Sequence, residues 1–91
     1  MKYNTLNTMK TLKKIIRKRL RLFVRISEIE NQNLIKKYDI NSIVGYEIFF
    51  MIESKFKIAF EDDEMLATNL DNLNSLCDMI LVKLNKKNSM D

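Results

Sequence analysis

The sequence predicts an all-α fold, and three observations lead to that prediction. The 91 residues contain no proline and one glycine, Gly45, so the turn residues that β-hairpins need are almost absent. Apolar residues recur at steps of three and four along most of the chain, which is the periodicity of amphipathic helices. The length suits a single core. We therefore expect one domain over residues 1–91, with its core at about 8–85 and flexible ends.

The first predicted helix begins at Asn7 or Thr8, which are both good N-caps. Its apolar stripe consists of Met9, Leu12, Ile16, Leu20 and Phe23. We expect Phe23 to lie in the core. Lysines and arginines cover the other sides of the helix, and they favour a solvated face over a nucleic-acid or membrane surface because no aromatic or glycine-rich segment accompanies them.

A long polar loop, residues 27–33, is predicted to follow the first helix. We expect Ile26, Ile29 and Leu34 to hold this loop against the core. The connection is longer than a simple bundle needs, and long ordered loops are often functional.

The central helix is predicted to start at Ser42, directly after the polar residue Asn41, and it has two apolar stripes. One stripe is expected to be buried and consists of Ile48, Phe49, Ile52 and Phe56. The second lies on a different side and consists of Ile43, Tyr46 and Phe50. Two stripes indicate either an unusually central helix or an apolar patch that faces a partner or ligand, and both interpretations stay open.

Two further elements complete the prediction. Four acidic residues, 61–64, precede a short third helix that Asp62 or Asp63 caps; capping is favoured over metal binding because consecutive carboxylates point in different directions. The last helix follows Asn72 as its N-cap. Its apolar stripe consists of Leu73, Leu76, Cys77, Ile80, Leu81 and Leu84, and residues 85–91 are expected to form a frayed tail.

Composition narrows the possible functions. Histidine is absent and Cys77 is the only cysteine, so an intramolecular disulfide and a His/Cys zinc site are excluded. The sequence offers no usual general base, no evident pair of carboxylates and no glycine-rich phosphate loop, so we do not expect an enzyme. Neither a signal peptide nor a run long enough to span a bilayer is apparent, which favours a cytoplasmic protein without a membrane partner.

The net charge of +4 is unevenly distributed. Residues 1–37 carry eleven Lys or Arg and two Glu, a net charge of +9, whereas residues 38–91 carry a net charge of −5. A basic half can bind nucleic acid or an acidic membrane, but the acidic half argues against such a binding surface over the whole domain.

The order of these features resembles the acyl and peptidyl carrier proteins. Their attachment motif, DSL or DSI, is followed by an acidic and apolar helix that ends in a motif such as EEEF. Here Asn41-Ser42-Ile43 takes the place of the attachment motif, Glu47-Ile48 matches the usual Glu-Leu, and the segment IESKF, residues 52–56, matches the helix end. The similarity continues through the acidic segment to the last helix and covers about residues 9–84.

The resemblance implies a four-helix bundle of the acyl-carrier type, with a long loop between helices 1 and 2 and a short third helix. It further implies that Ser42 receives 4′-phosphopantetheine from CoA through a phosphopantetheinyl transferase. The thiol of the arm would carry an acyl or aminoacyl group as a thioester. The implied partners are an adenylating enzyme or acyltransferase that loads the arm and a synthase or tailoring enzyme downstream, and the chain is expected to be a monomer. Contacts to the arm or partner would come from Asn41, Ile43, Tyr46, Glu47 and Phe50.

Three residues depart from the family pattern. Asn41 stands where aspartate is usual, and Val44 and Gly45 stand where an acidic and a small polar residue are common. Together with the basic first helix, they indicate a carrier dedicated to one pathway. Two alternatives stay open: a small basic helical module that binds nucleic acid, which we consider the weaker, and a carrier-fold interaction protein that is never loaded.

Overall fold

The computed structural model describes residues 3–89, and within this range the secondary structure is helical. The four α-helices are α1 (Thr5–Leu20), α2 (Leu34–Tyr38), α3 (Ser42–Phe56) and α4 (Leu73–Ser89). Three 3₁₀ turns lie in the connections, at Ile26–Glu28, Asp62–Glu64 and Ala67–Leu70. Helix α1 packs against both α3 and α4. The all-α class agrees with the prediction, but the four helices are not the predicted four, because α2 was not expected and the predicted short third helix is absent from the described residues.

Helix α1 begins earlier than the sequence predicts. Asn4 is the N-cap: its side chain accepts a hydrogen bond from the backbone N–H of Asn7 at 2.9 Å, and the side chain of Asn7 accepts one from the backbone N–H of Asn4 at 2.7 Å. The predicted cap at Asn7 or Thr8 is therefore wrong, because this reciprocal pair fixes the helix start one turn upstream. Thr8 instead lies fully buried inside the helix.

Helix α1 also ends earlier than predicted, and Phe23 is therefore not in the core. Arg21 adopts a left-handed conformation, with φ of 56°, and Leu22 donates a hydrogen bond back to the carbonyl oxygen of Arg17 at 3.0 Å. This closure ends the helix. Beyond it, Leu22 and Val24 pack against the core, whereas the side chain of Phe23 between them is fully exposed, at 103%.

The connection from α1 to α3 is long, as predicted, and it is ordered by the start of α4. Gln32 and Asn72 form an isolated antiparallel bridge, and the backbone N–H of Leu73 donates to the carbonyl oxygen of Asn31 at 2.7 Å. A carboxylate oxygen of Asp71 accepts from the N–H of Ile35 at 3.0 Å, in the first turn of α2. Helix α2, which the sequence did not predict, is therefore held from a distant segment.

Two of the three residues predicted to hold the loop are buried, and these are Ile29 and Leu34. Ile26, at the start of a 3₁₀ turn, is half-buried.

The predicted short helix after Phe60 consists instead of two 3₁₀ turns. Glu61 occupies the N-cap position of the first turn, and its backbone N–H donates to the Glu64 carboxylate at 2.7 Å. Capping by Asp62 or Asp63 is therefore wrong, because the carboxylate of the third residue of the turn reaches back to the cap. The ammonium group of Lys83 lies 2.8 Å from the same Glu64 carboxylate. This hydrogen bond holds the pKa of Glu64 below its ordinary value.

Helix α4 starts as predicted but continues further. The side chain of Asn72 accepts hydrogen bonds from the N–H groups of Asn74 at 3.0 Å and Ser75 at 3.3 Å, which confirms it as the cap. The helix runs to Ser89, so the prediction of a frayed tail is wrong for residues 85–89. The side chain of Lys87 donates a hydrogen bond to the carbonyl oxygen of Lys57 at 2.8 Å. The rest of that expected tail, Met90 and Asp91, and the first two residues of the chain lie outside the described residues.

The core is one apolar cluster in which α3 is central. The buried stripe predicted for α3 is confirmed, because Ile48, Phe49, Ile52 and Phe56 are at most 2% exposed. The rings of Phe49 and Phe60 pack edge to face with their centroids 5.2 Å apart. Cys77 is buried in the same cluster, and its burial raises the pKa of its thiol. Among the helices of residues 3–89, none has the length and apolar character to span a bilayer.

Candidate functional site

Ser42 is the first residue of α3, as predicted, and its side chain is exposed. The preceding residue, Asn41, is the N-cap, and its side-chain oxygen accepts a hydrogen bond from the N–H of Val44 at 2.9 Å. Because Asn41 performs the capping, the hydroxyl of Ser42 is not used for it. Within residues 3–89 no hydrogen bond joins the Ser42 hydroxyl to another group, so the hydroxyl is accessible from solvent.

The electrostatic environment of Ser42 favours an anion. The first N–H groups of a helix lack partners within the helix, and the helix dipole places partial positive charge at the same end. No acidic residue lies in the first turn of α3. A phosphate group attached to Ser42 would therefore meet N–H donors without a nearby carboxylate in that turn.

Beside Ser42, α3 exposes the three apolar side chains predicted for its second stripe. Their exposed fractions are 71% for Ile43, 45% for Tyr46 and 56% for Phe50. We call these three residues the α3 stripe. Of the two interpretations of the two-striped helix, the structure supports an apolar patch on the surface. Leu66, in the connection after α3, is also 52% exposed, and no pattern in the sequence indicates this.

Glu47 also lies on the exposed side of α3, but it is paired. Its carboxylate lies 2.6 Å from the guanidinium group of Arg19 near the end of α1. An exposed ion pair of this kind contributes little to stability, at most about 1 kcal/mol. Its consequence is geometric: it joins the end of α1 to the exposed face of α3, one and a half turns from Ser42.

A basic groove of about 670 Å³ lies between α1 and α3. Four lysines line it, Lys14 and Lys18 on α1 and Lys55 and Lys57 at the end of α3. We call it the α1/α3 groove; its remaining lining residues are Thr11, Ile15, Met51 and Ser54. The sequence shows the lysines of α1 but does not predict the groove, because Lys55 and Lys57 come from a segment about forty residues later and no local pattern joins the two sets.

The remaining candidate groups do not form a site. Within residues 3–89, no three Cys, Asp or Glu side chains are arranged to hold a metal ion. The acidic segment 61–64 contributes Glu64 to the pair with Lys83, as described above.

Gly45 lies on the buried side of α3, where the helix passes close to the 3₁₀ turn Ala67–Leu70. A Cβ atom added at Gly45 would lie 3.5 Å from the Cβ of Ala67 and 3.6 Å from a methyl group of Leu70, which are ordinary contact distances. Gly45→Ala is therefore expected to fit and to raise the free energy of unfolding by about 0.5–1 kcal/mol, because alanine favours the helix more than glycine. Urea denaturation measures the change. Gly45→Leu is the control, and overpacking is expected to lower the free energy by about 1–3 kcal/mol; a loss with alanine as well would contradict the predicted fit.

No protein-family model matches the chain, and neither the curated proteins nor the solved structures contain one that is significantly similar to it.

Proposed function

We propose that the protein is a carrier that holds an acyl or aminoacyl intermediate as a thioester on 4′-phosphopantetheine attached to Ser42. The observation that carries this proposal is the exposed hydroxyl of Ser42 at the start of α3, which has no hydrogen-bond partner among residues 3–89 and lies next to the exposed α3 stripe. The order of sequence features around Asn41-Ser42-Ile43 supports it. The all-helical fold of the described residues is compatible with a four-helix bundle.

The attachment follows from the chemistry of a primary hydroxyl. The Oγ atom of Ser42 forms a bond to the phosphorus that bears the pantetheine group, the bond from that phosphorus to the bridging oxygen of the CoA pyrophosphate breaks, and adenosine 3′,5′-bisphosphate leaves. The serine proton passes to a base of the transferase; this chain supplies no histidine for that step. The new phosphodiester lies at the positive end of α3. The thiol at the end of the arm then accepts the acyl or aminoacyl group.

The chain itself has no catalytic role in this proposal. A loading enzyme, either an adenylating enzyme or an acyltransferase, and a downstream synthase or tailoring enzyme act on the arm in the cytoplasm. Ile43, Tyr46 and Phe50 supply apolar contacts to the arm or to these enzymes, while Asn41 supports the start of α3. Glu47 forms an ion pair with Arg19, and this pair restricts the contact that the Glu47 carboxylate can make with a partner.

Incubation with CoA and a broad-specificity phosphopantetheinyl transferase is expected to add one phosphopantetheine group to the chain, as measured by intact mass. Ser42→Ala is expected to abolish the addition, because it removes the Oγ atom to which the phosphopantetheine group is attached. Ser75→Ala, which removes an exposed hydroxyl from the first turn of α4, is the matched control and should load normally. Addition that survives Ser42→Ala would refute the proposal.

Asn41→Asp separates the proposal from a carrier fold that is never loaded. Aspartate caps a helix as well as asparagine does, so the start of α3 should be preserved, and aspartate is the residue that the attachment motif usually contains. We expect both the natural chain and this variant to be loaded. Loading of the variant alone would favour the interaction module, because the attachment chemistry would then be blocked by the natural residue.

A further inference from the structure

We infer that the α1/α3 groove is a docking site for an acidic, partly apolar segment of a partner protein. The groove contains four lysine side chains, Lys14, Lys18, Lys55 and Lys57, all of them exposed. The ion pairs among residues 3–89 join other side chains, so none of these lysines is neutralised by a carboxylate. Two carboxylates of α3 are bound elsewhere: Glu47 pairs with Arg19, and Glu53 accepts a hydrogen bond from the N–H of Phe60 at 2.8 Å.

The shape and floor of the groove decide between the possible anionic partners. Its floor is apolar, because Ile15 is buried and Met51 half-buried between the two helices. A segment with carboxylates and an apolar side chain can satisfy the lysines and this floor together. The phosphate backbone of a nucleic acid supplies charge but no apolar group, and a flat lipid surface does not enter a concave groove. The observations therefore favour a protein.

The α3 stripe and the groove share one face of α3. Phe50 of the stripe and Ser54 of the groove are four residues apart, a spacing that places two residues on the same side of a helix one turn from each other. From Ser42 to Ser54 the helix rises about 18 Å, a distance that one protein interface of standard size covers. The partner would then be an enzyme that acts on Ser42. This identification rests on the proposed function, whereas binding in the groove does not.

The electrostatic match determines what such an enzyme must present. A groove with lysines around an apolar floor attracts carboxylates and repels basic surfaces. This charge affects both the rate of encounter and the choice of partner. Enzymes that work with this chain are accordingly expected to carry Asp or Glu where they meet the end of α3. A basic enzyme surface would face four uncompensated positive charges.

The test uses a fluorescent synthetic helical peptide with leucine on one face and glutamate on the others, and a matched peptide in which lysine replaces every glutamate. We expect saturable binding of the acidic peptide, measured by fluorescence anisotropy, and no binding of the basic one. The double variant Lys14→Gln/Lys55→Gln is expected to bind about tenfold more weakly. The control, Lys10→Gln/Lys36→Gln, loses the same charge from exposed positions outside the groove and should bind within about twofold of the natural chain.

Equal losses of affinity for the acidic peptide in the two double variants would overturn the proposed docking site, since binding would then depend on net charge alone. It would also be overturned by tighter binding of duplex RNA or of phosphatidylserine vesicles through Lys14 and Lys55. Circular dichroism verifies that both double variants are folded. The Ser42→Ala variant is expected to bind the peptide like the natural chain, so a failure of loading and a failure of docking can be told apart.

Discussion

Phe49→Ala is expected to lower the free energy of unfolding by about 3–5 kcal/mol. The side chain of Phe49 is fully buried on α3, and its ring packs edge to face on Phe60 at 5.2 Å. Alanine would remove this contact and leave a cavity in the centre of the core. Urea denaturation followed by far-UV circular dichroism measures the effect. Because the loss is a large fraction of the stability of a small domain, the milder Phe49→Leu serves as a second variant if the alanine variant does not fold.

Phe23→Ala is the matched control, because it deletes the same atoms at an exposed position. The ring of Phe23 is fully exposed after the end of α1, so its removal is expected to change the free energy of unfolding by less than about 0.5 kcal/mol. Comparable losses at Phe23 and Phe49 would mean that Phe23 lies in the core. That result would support the longer first helix that the apolar pattern of the sequence predicts, and it would contradict the helix end at Leu20.

The sequence predicts α3 and α4 well because the information that defines them is local. The caps Asn41 and Asn72 lie next to the helices they start, and burial follows the helical period in both. The division of α3 into a buried stripe and the α3 stripe is also a local pattern, and the exposed fractions of Ile43 and Phe50 agree with it. The position and exposure of Ser42 could therefore be anticipated before the fold was known. Its modification stays a prediction.

The errors at α2 and at the α1/α3 groove arise because distant segments decide the structure there, whereas the end of α1 depends on the conformation of a single residue. Arg21 ends α1 in a left-handed conformation that sequence patterns associate with glycine, so nothing in the sequence announces the end of the helix. Helix α2 depends on Asp71, whose carboxylate accepts a hydrogen bond from the N–H of Ile35. Asp71 comes 36 residues later in the chain, after α3. The lysines of the α1/α3 groove likewise meet only in the folded chain. Periodicity within one segment contains none of this information.

Thr8→Val is expected to raise the free energy of unfolding by about 1–2 kcal/mol, because it removes a buried hydroxyl that lacks a partner. Thr8 is fully buried in α1, and within residues 3–89 its Oγ1 atom forms no hydrogen bond. Valine has nearly the same shape and is also β-branched, so the packing and the helix propensity of the position should be preserved. Thermal and urea denaturation measure the gain.

Thr11→Val provides the control, since it makes the same chemical change in the same helix. The hydroxyl of Thr11 donates a hydrogen bond to the carbonyl oxygen of Asn7 at 2.9 Å and is partly buried. Its removal is expected to lower the free energy of unfolding by about 0.5–1.5 kcal/mol. Opposite signs at the two threonines would show that the desolvation of the Thr8 hydroxyl is uncompensated. A loss at both positions would instead mean that the Thr8 hydroxyl has a hydrogen-bond partner in the folded protein.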